Sequence, residues 1–240
     1  MNDSPAAMRA TTTEENAMAS ASIRVWDLPT RLFHWALVVL IALQYASGEF
    51  GWLSMRWHFL LGYATLALVA FRVLWGFAGS DTSRFRAFVR GPRTLARYVS
   101  GLVRGEDLRE LGHNPLGGWS VLLMLAAVAL QAVTGLYATD DIIEEGPLVA
   151  HASSATVELM TRIHHLNRYV LLGLIVLHLV AVALHGILRG HNLVAPMLHG
   201  RARIEGAHAP RFVPAWLALL LFALSAAAVW VLVAWAEAAP

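Results

Sequence analysis

The run Arg162-Ile163-His164-His165-Leu166-Asn167-Arg168-Tyr169-Val170-Leu171-Leu172-Gly173-Leu174-Ile175-Val176-Leu177-His178 is a membrane-length apolar stretch with histidines fourteen positions apart. On an α-helix, fourteen residues return to within roughly 40° of the same face and rise about 21 Å. His164 and His178 therefore fall on one stripe, one near a membrane surface and one well below it, while His165 falls on another face. Interface histidines on an apolar helix would give the same pattern. The reading turns on whether other helices supply partners at the same two depths.

Composition narrows the class first. With 58% apolar residues, 14% charged residues and a mean hydropathy of +0.56, the chain carries more apolar surface than a soluble domain of 240 residues could bury. It reads as an integral membrane protein. The absence of cysteine removes disulfides, thiolate-held iron–sulfur clusters and covalent Cys-x-x-Cys-His haem attachment. All 18 basic residues are arginine, and the pI near 9.4 invites a nucleic-acid reading. The arginines fall between apolar spans, however, where lipid and topology explain them, so no nucleic-acid partner is expected.

Residues 1–22 lack apolar periodicity and read as a disordered cytoplasmic tail, with no apolar core of signal-peptide length before Ile23. Pro29 and Thr30 suit a helix start and Trp26 suits a membrane interface. Five spans follow, at roughly 31–48, 56–77, 118–138, 163–188 and 213–235, each near the ~20 residues a bilayer crossing needs. Between the second and third, Pro92 opens an amphipathic stretch with Leu95, Tyr98, Val99, Leu102 and Val103 on one face and Arg93, Arg97 and Arg104 on another. Such a helix suits the cytoplasmic headgroup layer, with a docking surface for a cytoplasmic partner as the alternative. No internal repeat is evident.

Fourteen arginines lie on one side of the five spans and two, Arg56 and Arg162, on the other, beside the acidic Asp140, Asp141, Glu144 and Glu145. The positive-inside rule puts the N-terminus in the cytoplasm and the C-terminus outside.

Depth can then be compared. His58 stands two residues beyond Arg56, as His164 does beyond Arg162, so both lie just under the external surface and could ligate one haem from opposite sides. His34 lies fourteen residues before the external end of its span at Gly48, and His178 fourteen after His164, which places a second pair about 21 Å deeper. His185 competes with His178, because it returns to nearly the same face seven residues on. Arg72, fourteen residues after His58, falls at the inner level, where a haem propionate would partner its charge and snorkelling to headgroups is the alternative. Gly62 and Gly173 would let a flat macrocycle approach the backbone, or serve as helix contact points.

These residues resemble the bacterial cytochrome b561 family, with the related cytochrome b subunits of nickel–iron hydrogenases and formate dehydrogenases. The resemblance rests on Leu32-Phe33-His34-Trp35, on His58 with Gly62 and Arg72, on His164 with His178, and on the tail from His191 to Arg201, and it covers roughly 23–203. It implies an all-α membrane protein: a transmembrane four-helix haem-binding bundle over 23–203, to which residues 204–240 add a fifth C-terminal transmembrane helix. It also implies two non-covalent b haems held by His34, His58, His164 and His178, which favours His178 over His185.

The expected activity is electron transfer across the bacterial inner membrane between quinone and a redox partner, a periplasmic enzyme or a c-type cytochrome. His151, Glu144 and Glu145 are candidates for the quinone site, and His113, His165, His191, His199 and His208 receive no role. The competing readings are a proton-relaying transporter, whose histidines would lie at graded depths, and a structural anchor for an external enzyme.

Overall fold

The computed structural model describes residues 22–106, 112–139, 144–190, 192–203 and 209–238. Five of its helices are long and apolar enough to cross a membrane: α1 (Leu28–Gly48), α2 (Met55–Ala78), α5 (Pro115–Gly135), α6 (Ser154–Arg189) and α8 (Ala215–Ala238). Three short helices, α3 (Phe85–Phe88), α4 (Pro92–Val103) and α7 (Val194–His199), and two three-residue strands, β1 (Ser22–Arg24) and β2 (Arg201–Arg203), complete the described elements, with single 3₁₀ turns at Asp81–Ser83 and Val149–His151. All five expected spans are present. The expected tail lies outside the described residues except for Ser22, which opens β1.

Helix starts follow from capping. Asp27 caps α1, accepting from the Thr30 backbone at 2.8 Å with Pro29 in the first turn, and Asn114 caps α5 through Gly117 at 2.7 Å. That second cap sets the start of α5 three residues before the expected one. The larger departure is α6, which begins at Ser154 under a Ser153 cap. At 36 residues it is about 54 Å long against a hydrocarbon core of ~30 Å, so its first turns stand clear of the bilayer.

Four helices, α1, α2, α5 and α6, share a central cluster of Val69, Leu125, Val128 and Leu171, with Phe33, Leu37 and Ile41 against it. The fifth, α8, lies along the back of α2, where Ala218 meets Leu68, Phe71 and Trp75 near one end and Val229 and Val233 meet Ala67 farther along. At the other end Ala236 packs with Leu136 and Leu148, and the His151 ring bonds the Ala236 carbonyl at 3.0 Å. Exposed aromatic side chains ring both ends, with Phe50, Trp52, Trp57 and Trp235 at one and Trp35, Phe77 and Trp216 at the other. This is the distribution of interfacial anchors.

The basic end is closed by a polar knot. Asp27, 1% exposed, accepts from Trp75 Nε1 at 3.1 Å and Ser83 Oγ at 2.9 Å, and Thr30 Oγ1 bonds Ser83 Oγ at 2.7 Å. One carboxylate thus joins the start of α1, the end of α2 and the turn beyond it. Strands β1 and β2 pair antiparallel with Ile23 opposite Ala202. Gly200, at φ +82°, brings its carbonyl onto the Val25 and Trp26 backbones, and a Cβ there would lie 2.9 Å from the Trp26 oxygen. Trp26 is therefore a buried member of this cap, packed on His113, and not the interface residue its sequence position suggests.

The amphipathic stretch is helical as expected, with Tyr98 buried and Val103 exposed, and α4 packs against α5.

Candidate haem sites

His58 lies in the first turn of α2, and His164 in the third turn of α6, whose early start at Ser154 accounts for the extra turns. Their ring centroids are 6.4 Å apart and their planes cross at 77°. Two axial imidazoles on one metal, each bonded at about 2 Å, have centroids roughly 6 Å apart. The pair faces a cleft of about 200 Å³ that Gly62, Gln44, Gln131 and Glu144 also line.

Each outer ring has its Nδ1 committed. Ser47 Oγ gives its single proton to the Gln44 carbonyl at 3.0 Å, so it accepts from His58 Nδ1 at 2.9 Å. His164 Nδ1 donates to the Gln131 carbonyl at 3.0 Å, with Thr134 Oγ1 at 3.2 Å. In both rings Nε2 is then the nitrogen with a free lone pair, the atom a metal takes. In His164 that lone pair meets the Gln131 amide at 3.1 Å, and Asn167 holds the same amide by its oxygen at 2.8 Å.

Deeper in the bundle, His34 lies on α1 with its Nδ1 buried and without a hydrogen-bond partner, and His178 lies on α6. The His185 ring turns back to the Ala181 carbonyl of its own helix at 3.0 Å. Arg72, expected at this level, is 2% exposed and bounded by Phe33, Phe85 and Phe88, its guanidinium carbon 5.2 Å from the Phe85 centroid. Its Nη1 is buried without a hydrogen-bond partner. It does not snorkel. The carboxylate whose charge acts on it is that of Asp27. A buried cation with an unmet donor is the environment an anionic group of a ligand satisfies.

His113, given no role from the sequence, belongs to this inner group. Its ring packs edge-on to Trp26 and tilted against Phe88, with centroids at 4.7 and 4.8 Å, and its Nδ1 is buried and unpartnered. Burial first, then the charge of Arg72, with His178 and His34 adding, pushes its pKa down to about 3. Sequence reasoning passed over it because it sits just before a helix start.

Gly62 closes on α1, where an added Cβ would meet the Gln44 amide at 3.3 Å, whereas Gly173 faces open space. Of the quinone candidates, Glu144 lines the outer cleft, Glu145 bridges to Thr139, and His151 stacks on Trp235 while bonding α8. The sequence reading also missed Arg168, which forms an ion pair with Glu49 at the mouth of the cleft. His191, His208, Asp140 and Asp141 lie outside the described residues.

Comparison with known proteins gives the family. The model of the family described as prokaryotic cytochrome b561 matches residues 25–200. A protein of Bradyrhizobium diazoefficiens described as a probable Ni/Fe-hydrogenase B-type cytochrome subunit is 24% identical over 235 residues, covering 83% of this chain and 94% of its own length. One of the same description from Cupriavidus necator is 24% identical over 228 residues, covering 80% and 93%. No solved structure matches the chain. With the family match spanning α1 through α7, the chain belongs to the prokaryotic cytochrome b561 family and is a multi-pass membrane cytochrome of the b type, a carrier of haem b.

Proposed function

We propose that the chain conducts electrons across the bacterial inner membrane through two b haems, the outer held by His58 and His164 and the inner by His34 and His178. The observation that carries this is the outer pair, two imidazoles from different helices 6.4 Å apart, each with Nδ1 bonded and Nε2 able to accept. Haem, where bound, would supply one-electron chemistry, with His34, His58, His164 and His178 as the residues that would hold it. The protein's part is to fix the rings, keep the sites dry with the central cluster, and meet charge at the inner level with Arg72, which would pair with a propionate. In this reading 23–203 form the haem domain, 204–240 add the flanking helix, and the arginine-rich end faces the cytoplasm.

The electron source or sink in the membrane is quinone, taken up at the outer cleft where Glu144 could exchange a proton. The partner is an external redox enzyme, and the two relatives described as hydrogenase subunits favour a hydrogenase. Matched pairs at two levels favour this reading over a graded proton path.

The test is a reduced-minus-oxidised spectrum with a haem-to-protein ratio on the purified chain. Two b haems per chain are expected, falling to one in His164→Ala or His34→Ala. A colourless protein would overturn the reading, and so would a chain whose His178→Ala variant keeps both haems while His185→Ala loses one.

A further inference from the structure

Two segments that the sequence reading did not connect carry one pattern. Gln44-Tyr45-Ala46-Ser47-Gly48 closes α1 and Gln131-Ala132-Val133-Thr134-Gly135 closes α5, each reading Gln-x-x-(Ser/Thr)-Gly at the same end of the bundle. Each stands against the outer histidine of the next long helix. Ser47 Oγ lies 2.9 Å from His58 Nδ1, and Thr134 Oγ1 lies 3.2 Å from His164 Nδ1. A Cβ placed on Gly48 would meet His58 Cε1 at 3.0 Å, and one on Gly135 would meet His164 Cε1 at the same 3.0 Å.

A hydroxyl and a glycine at a helix end are commonly a cap or a packing point, but these hydroxyls are spent differently. Both are buried, at 3% and 1% exposure, and each gives its one proton to its own helix, to the Gln44 carbonyl at 3.0 Å or the Leu130 carbonyl at 2.7 Å. Each oxygen therefore has only lone pairs to offer the imidazole, which selects the tautomer protonated at Nδ1.

We propose that the two Gln-x-x-(Ser/Thr)-Gly segments are two copies of one positioning device, in which the hydroxyl fixes the tautomer of the outer histidine and the glycine admits its ring, so that both Nε2 atoms face one haem iron. The inference rests on the outer pair being haem ligands. The copies differ in their glutamines. Gln131 reaches His164 Nε2 at 3.1 Å, whereas Gln44 donates to the His58 backbone carbonyl at 3.2 Å and keeps its Oε1 buried and unpartnered in the cleft. They agree in a second acceptor, since the backbone carbonyl of each glutamine also meets its ring, Gln131 at 3.0 Å from His164 Nδ1 and Gln44 at His58.

The experiment compares Ser47→Ala, Ser47→Thr and Thr134→Ala in the full-length purified protein, by potentiometric titration and by the EPR signal of the low-spin ferric haems. Loss of the acceptor makes the imidazole a weaker donor and favours ferrous iron. One haem potential should rise in S47A and in T134A and return towards wild type in S47T, with haem content kept. The device is overturned if S47A leaves both potentials and EPR signals unchanged, or if S47T shifts them as far as S47A does. Should S47A fail to accumulate, Gly135→Ala takes its place: the added methyl must alter the EPR signal of one haem, and an unaltered signal overturns the proposal equally. A wild-type chain without b-type absorption removes the haem reading beneath it, whereas a two-haem wild type with unresponsive variants removes this device alone.

Discussion

Arg72 holds its charge among three aromatic rings with one donor unmet, an arrangement that only an anionic partner makes economical. Arg72→Met should therefore cost inner-haem affinity about tenfold or more, the weight of a charge-assisted bond of ~1.5 kcal/mol or above. Haem-to-protein ratios would show it, falling towards one while the outer haem persists. Beside it, His113 stays neutral in the folded chain down to about pH 3, whereas in the unfolded chain it protonates below its ordinary 6.5. Between those values the unfolded state binds the extra proton, so stability falls as pH falls through that window. His113→Phe, filling the slot between Trp26 and Phe88, should flatten the acid side of a thermal-stability profile in detergent. The four histidines proposed as ligands and Arg72 stand out in the sequence because polar residues inside apolar spans are costly and helical spacing gives their level. Ser47, Thr134, Asn167 and His113 do not, since hydroxyl, amide and loop histidine residues near helix ends have ordinary local explanations. Only the neighbouring helix reveals what they touch.

Among the elements, α8 packs along α2 through Ala218, Val229 and Val233 and supplies none of the four proposed ligands. A chain ended after Phe212 should keep both haems but melt at a lower temperature, because in lipid the bared face of α2 meets acyl chains rather than water. Loss of either haem on truncation would instead make α8 part of the cofactor bundle. All five spans were readable from hydropathy, and the amphipathic α4 from its two faces. The early start of α6 was not, because Ser154–Thr161 mixes polar and apolar residues and only the Ser153 cap and the packing beside α5 extend the helix. Nor were β1 and β2, whose three residues each are too few for an alternating pattern and whose pairing joins residues about 180 positions apart.

For the whole molecule, the proposed topology of five crossings sets the two termini on opposite faces with the arginine-rich side in the cytoplasm, and labelling tests it. The chain has no cysteine, so a single one can be introduced as a marker without background. A membrane-impermeant maleimide on spheroplasts should label Ala239→Cys directly and Ala6→Cys only after permeabilisation. The reverse pattern would invert the protein and move the cleft beside His58 and His164 to the cytoplasmic face.

On the proposed ligation α6 supplies one ligand to each haem, and this sets the order of biosynthesis. His34 leaves the ribosome 144 positions ahead of His178, and His58 106 positions ahead of His164. At roughly 5–20 residues per second, the first two helices wait several seconds or longer in the membrane with half of each coordination sphere. Neither haem acquires its second protein ligand before the fourth crossing is made, and then both can. Stable capture of iron porphyrin thus reports that the bundle has been completed, and a chain stalled before α6 would lack bis-histidine haem at either level.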